Sequence, residues 1–224
     1  MKSLVILEHG FANPGGKNTT DRFAAGFEEL GCTVVSYDYW WHDGWWSAPL
    51  SLAQVRLANR AIANGLRLYT LLARTVYDHI AIVAHSNGAA IAYIASQNRT
   101  DEHDVKQPGA YFDSAVLINP ALDSGALFGP NVRHVFCLHT PWDIQTRVSE
   151  VLPFHWWGDA GAVGLKGGDP RVVNIDTSTH RKYPVRSHSG LMSLENLSGY
   201  WEEEVQRLAL ARPVWNTANS VESR

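Results

Sequence analysis

The chain has 224 residues, 45% of them hydrophobic and 18% charged, with a formal net charge of −3. That length and balance suit one globular domain with a sizeable core. The weak negative charge leaves no overall basic field pointing to nucleic acid or an anionic membrane, and no run of about 18 apolar residues offers a membrane span.

The first residues, MKSLVILEHG, hold one lysine and a run of four apolar side chains, residues 4–7, before Glu8, too short for a signal-peptide core. A cytoplasmic, reducing location is expected. Cys32 and Cys137 both fall in strand-like runs and read as free buried thiols, not as a disulfide.

In chain order, LVILE (4–8) predicts a first buried strand, and the glycine-rich HGFANPGG (9–16) predicts the loop after it. Phe23, Phe27 and Leu30 mark a short helix that Gly31 can end. CTVVSYD (32–38) is a second strand, followed by the tryptophan-rich YWWHDGWW (39–46). Leu52, Val55, Ile62, Leu66, Tyr69 and Leu72 space a second helix, with Arg56, Asn59, Arg60 and Arg67 mostly off its apolar stripe. IAIVAH (80–85) is a third strand and runs through Ser86 directly into the small-residue helix pattern NGAAIAYIA (87–95). SAVLIN (114–119), HVFCLH (134–139) and VVNID (172–176) complete six strands. A second tryptophan cluster, FHWWGDAGAVG (154–164), lies between the last two. Leu194, Leu197, Trp201, Val205 and Leu208 predict a final helix that ends before Pro213.

Short continuous apolar strands alternating with helices predict an α/β fold: a mostly parallel six-stranded sheet with helices on both faces. No repeat, low-complexity tract or linker divides it, so residues 1–212 are expected to form one domain and 213–224 a polar tail.

Ser86 stands where strand gives way to helix. A strand–turn–helix that sharp forces the turn residue to positive φ, and it needs small neighbours two positions either side. Ala84 and Gly88 meet that need. Such a turn lifts the hydroxyl out at the carboxyl end of the sheet, with a helix N-terminus behind it to favour negative charge. The bland reading of the same residues is a serine N-cap in a chance pattern.

A nucleophilic serine needs a base, a carboxylate to orient it, and donors for an oxyanion. The amides of Phe11, in the loop after the first strand, and of Asn87, after the serine, would form the oxyanion hole. Asp143, four residues beyond His139 in HTPWD, is the first choice of acid. Asp123 is the second choice, and Asp176 reads as a strand-end cap. Of ten histidines, His180 and His188 follow the sixth strand, and His188, just before the last helix, is preferred as base.

With HGF (9–11), AHSNG (84–88), HTPWD (139–143) and SHSG (187–190) in that order, the chain resembles the α/β-hydrolase superfamily from residue 4 to about residue 212. The resemblance implies a nucleophile Ser86, a base His188, an acid Asp143 and oxyanion amides at Phe11 and Asn87. Ala84 departs from the glycine more usual there. The chain opens on the oxyanion strand, which implies a minimal six-stranded member. The family's strand order places Cys32 near one edge and Cys137 toward the other.

The implied activity is cleavage of a carboxylic ester or thioester through an acyl-enzyme. Its partner would be a small-molecule acyl ester, not nucleic acid. The alternatives are acyl transfer or hydroxynitrile cleavage on the same scaffold, or a ligand-binding protein that keeps the fold without turnover. No metal or other cofactor is expected, since no H-E-x-x-H, close Cys/His set or phosphate-binding glycine fingerprint occurs. Trp46, Trp156 and Trp157 are expected either to line an acyl pocket or to pack as a loop core. The oligomeric state is left open.

Overall fold

The computed structural model describes residues 1–10, 19–37, 48–100, 106–151 and 158–211. Its centre is a six-stranded sheet in the order β2-β1-β3-β6-β7-β8. The strands are β1 (Ser3–Glu8), β2 (Thr33–Tyr37), β3 (His79–His85), β6 (Phe112–Ile118), β7 (Val132–His139) and β8 (Val172–Asp176), and every pairing is parallel. β4 (Arg99–Thr100) and β5 (Lys106–Gln107) form a separate antiparallel pair that the sequence patterns do not announce.

Alternate residues of the central strands enter two cores. Leu4, Ile6, Ile80 and Ile82 pack with Leu66 of α2 (Ala48–Ala73) and Ile91 of α3 (Asn87–Ser96). Val5, Leu7, Ala81 and Val83 pack on the other face with Phe27 of α1 (Ala24–Glu29) and with Trp201 and Val205. Burial on both faces is why these strands read as continuous apolar runs and not as alternating ones.

The remaining helices are α4 (Ile144–Val151), α5 (Ala160–Val163), α6 (Leu194–Asn196) and α7 (Glu202–Ala209). A π-helical turn, Leu197–Trp201, joins the last two. Cys32 precedes the edge strand β2, Cys137 is buried in β7, and both are free thiols. Burial pushes the Cys137 thiol up to about 12, which leaves it inert.

Some expected apolar positions face outward. Leu30, Leu72 and Leu194 are exposed, while Asn59, Arg67 and Thr70 are buried on the inner face of α2. Each of these three has a partner there: Asn59 pairs with Asn87, Arg67 Nη2 donates to the Gln97 carbonyl, and Thr70 Oγ1 accepts the Tyr111 amide.

The sheet order also locates the crevice. The chain leaves β1 for α1 on one face and leaves β3 for α3 on the other, so the paths diverge between two adjacent strands. In open α/β sheets ligands bind outside the carboxyl ends at that divergence. Gly10 and Ser86 stand there.

Candidate active site

Ser86 has φ 53° and ψ −119°, a left-handed conformation that costs a non-glycine residue about 1–3 kcal/mol. Three backbone hydrogen bonds hold it. The Ser86 amide donates to the Ile118 carbonyl, and the Ser86 carbonyl accepts from the amides of Ala89 and Ala121. The turn is sharp because α3 begins hard against β1. A Cβ on Gly88 would lie 2.6 Å from the carbonyl oxygens of both Glu8 and His9, so only glycine fits. Ala84 is fully buried in register with Glu8 and Leu117, where one methyl is tolerated. Gly10 faces the serine closely, since a Cβ there would lie 3.0 Å from Ser86 Cβ.

Asn87 opens α3, where first-turn amides have no intrahelical acceptor. Its side chain is committed elsewhere. Asn59 Nδ2 donates to Asn87 Oδ1 at 2.8 Å, and Asn87 Nδ2 donates to Asn59 Oδ1 at 3.1 Å. This buried amide pair ties α2 to the start of α3.

His188 and Asp143 meet. His188 Nδ1 is 2.7 Å from Asp143 Oδ2, and Asp143 is fully buried. The other carboxylate oxygen accepts the Thr146 amide at 3.1 Å, so Asp143 also caps the start of α4. With the carboxylate as acceptor, the imidazole proton is assigned to Nδ1, and Nε2 carries the lone pair. Thr140 braces both loops. Its amide donates to the Gly161 carbonyl and its hydroxyl to the Val185 carbonyl at 2.7 Å.

His85, immediately before Ser86, has its ring centroid 4.8 Å from that of His188. Its Nε2 donates to the His188 carbonyl at 3.2 Å. Burial, with His188 beside it, pushes the His85 imidazole down to about 3, so it stays neutral. Glu8, at the end of β1, is fully buried, and neither carboxyl oxygen is hydrogen-bonded among the described residues. Burial raises it well above the ordinary carboxyl range.

No family model matches the chain, and no curated protein matches it in sequence. Solved structures do match. A protein from Xanthomonas campestris pv. campestris, provisionally named a hydrolase of the α/β superfamily, aligns with TM-score 0.50 at 16% identity over 93% of this chain and 100% of its own. The chain has the α/β-hydrolase fold. Esterase PE8 aligns with TM-score 0.49 at 16% identity over 93% of each chain. An acetyl ester-xyloside bifunctional hydrolase from Caldicellulosiruptor lactoaceticus gives 0.47 at 16% identity, over 92% of this chain and 82% of its own.

Within that fold the structure brings Ser86, Asn87, Asp143 and His188 to the carboxyl end of the sheet. The rival residues are engaged with other partners. His180 stacks on Tyr200 at 4.2 Å, and its Nδ1 accepts the Tyr183 amide. Asp123 is exposed and accepts the Gly125 amide, and Asp176 caps the turn at Ser178. Phe11, Trp46, Trp156, Trp157 and the 213–224 tail lie outside the described residues.

One residue that the sequence did not flag belongs here. Asn119, at the end of β6 with φ 42°, donates from Nδ2 to the His188 carbonyl at 2.6 Å and to the Ser187 carbonyl at 3.2 Å. A non-glycine residue at positive φ after a strand was its only possible signal, and sequence does not print φ. Among the described residues no three His, Cys, Asp or Glu side chains gather as a metal site, and no helix is long and apolar enough to cross a membrane.

Proposed function

We propose that the protein is a serine hydrolase that cleaves carboxylic esters or thioesters. Ser86 Oγ attacks the acyl carbonyl while His188 Nε2 takes its proton. Asp143 holds the His188 tautomer and balances the imidazolium that forms. The carbonyl oxygen gains negative charge, to be stabilised by the backbone amide of Asn87 and by that of Phe11, which the family resemblance assigns, each such donor worth on the order of 3 kcal/mol in the transition state. His188 returns the proton to the departing alcohol or thiol, and water, activated by the same imidazole, releases the acid and restores Ser86.

One observation carries this reading: a buried His188–Asp143 hydrogen bond of 2.7 Å beside a serine held at φ 53°. Packing alone has no use for a strained serine, a desolvated carboxylate and an oriented imidazole at one crevice. Trp46, Trp156 and Trp157, outside the described residues, stay the candidates for an acyl pocket: Trp→Ala should shift the preferred acyl length where they line it and lower stability alone where they pack as a loop core.

The test is hydrolysis of p-nitrophenyl acetate, butyrate and octanoate by the purified protein. Turnover of at least one ester above the Ser86→Ala background is expected. Equal rates in both proteins would remove the proposal.

A further inference from the structure

At His188 itself the base loop is held by its main chain, through two side chains from the ends of two different strands. His85 Nε2 donates to the His188 carbonyl at 3.2 Å, and Asn119 Nδ2 donates to the same oxygen at 2.6 Å. Asn119 Nδ2 also reaches the Ser187 carbonyl at 3.2 Å. A carbonyl oxygen has two lone pairs, and here both are occupied. We infer that His85 and Asn119 are positioning residues that fix the His188 imidazole through its backbone carbonyl, independently of Asp143. The inference rests on the reading of His188 as the general base.

Both residues sit under local conditions that a mere loop staple does not need. Asn119 is almost fully buried at φ 42°, and its Oδ1 has no hydrogen-bond partner among the described residues. Its own amide donates to the Leu138 carbonyl at 2.8 Å, which locks the residue between β6 and β7 and aims its side chain at residues 187 and 188. His85 is buried with Nδ1 also unpartnered among the described residues, and that edge of the ring faces Gly10. Because His85 stays neutral down to about 3, Nε2 remains a donor across the whole working range.

The geometry has a chemical consequence. Asp143 fixes one ring atom of His188, which leaves the ring free to pivot about that bond. Fixing the carbonyl of the same residue removes the pivot. Because His85 adjoins Ser86 in the chain, the nucleophile and the base then share one rigid reference. A reacting pair misplaced by about 1 Å can cost on the order of 100-fold in rate.

The experiment compares wild type with Asn119→Asp, Asn119→Gly, His85→Leu and His85→Gln. Asp and Gly keep access to positive φ while removing the donor, and Gln restores an N–H donor at position 85. Two quantities are read in each. One is kcat and KM on the best p-nitrophenyl ester. The other is the low-field proton resonance of the His188–Asp143 hydrogen bond, taken on ¹⁵N-histidine-labelled protein without substrate. Thermal melts confirm that each variant is folded.

Asn119→Asp, Asn119→Gly and His85→Leu are expected to lower kcat roughly 10- to 100-fold with KM within about twofold. They are also expected to broaden or displace the resonance, and His85→Gln to recover most of both. An unmoved resonance in folded Asn119 and His85 variants overturns the inference, as does kcat within twofold of wild type. Should wild type hydrolyse no ester, the esterase reading fails, and the resonance alone still decides whether the two side chains orient His188.

Discussion

Ser86, His188 and Asp143 come from positions 86, 188 and 143 of the chain and reach one crevice because each ends or follows a parallel strand. Their alternatives supply the controls. His188→Ala and Asp143→Asn should each lower kcat by about 10⁴-fold, while Asp123→Asn and His180→Ala should stay within roughly tenfold of wild type. His180→Ala should instead lower the melting temperature, because its ring packs on Tyr200 and Tyr183. Steady-state kinetics beside thermal melts separate the two effects. A dead Asp123→Asn with an active Asp143→Asn would move the acid to the loop after β6.

Glu8 gives the fold a pH dependence of its own. Its folded carboxyl holds its proton above the pH at which the unfolded chain releases it, so the unfolded state gains as pH rises above 4.5. Stability contributed by the protonated form is complete below that point and is lost toward the raised folded value. Glu8→Gln removes the titration, so it should match wild type near pH 4 and exceed it at pH 8. Urea unfolding at the two pH values checks this, and equal differences at both would show that Glu8 is ionised in the fold. Ser86 was legible in the sequence because small–x–Ser–x–Gly between a strand and a helix is a local pattern. Glu8 was not, because a single carboxylate at a strand end says nothing about what lies over it.

At the scale of elements, the contact between α3 and β1 makes the serine turn. Gly88→Ala would drive a methyl to 2.6 Å from two backbone oxygens, which cannot rotate away as a side chain can. The variant should lose about 1–3 kcal/mol of stability, or more, and its activity should fall further than its stability as the helix start moves off the crevice. Chemical denaturation and kcat/KM on the same samples measure both. A wild-type rate in Gly88→Ala would mean the turn does not need this close approach.

The strands were legible because burial on both faces leaves continuous apolar runs. The inner face of α2 was legible only in part. Periodicity treats Asn59 and Arg67 as outward, yet both are buried on a specific partner, as is Thr70. Leu57, Leu68 and Leu72 lie on the opposite, exposed side. The same limit hid Asn119, whose partner is 69 residues away.

For the whole molecule, the crevice at the divergence of β1 and β3 gathers the titrating groups that set its pH behaviour. His85 cannot accept a proton in the fold until about pH 3, whereas the unfolded chain does so near 6.5. Its contribution to stability is complete above 6.5 and falls on acidification toward 3, by up to about 1.4 kcal/mol per pH unit. Asp169, held below the ordinary carboxylate range by its hydrogen bonds with Arg171, adds its own loss only at the acid end of that window. Glu8 acts in the opposite sense over pH 7 to 5, so the His85 contribution is read as a difference: the wild-type unfolding midpoint should fall relative to that of His85→Leu from pH 7 through 6 to 5. A difference that stays constant over that range would assign the pH dependence to other groups.

Covalent labelling with a fluorophosphonate tests, without any guess at the substrate, whether Ser86 is a nucleophile activated by the His188–Asp143 pair. Intact mass and peptide mapping should show one adduct per chain, on Ser86, absent from Ser86→Ala and formed at least about 100-fold more slowly in His188→Ala. No adduct, an adduct on another residue, or labelling of Ser86 at an unchanged rate in His188→Ala would contradict that role.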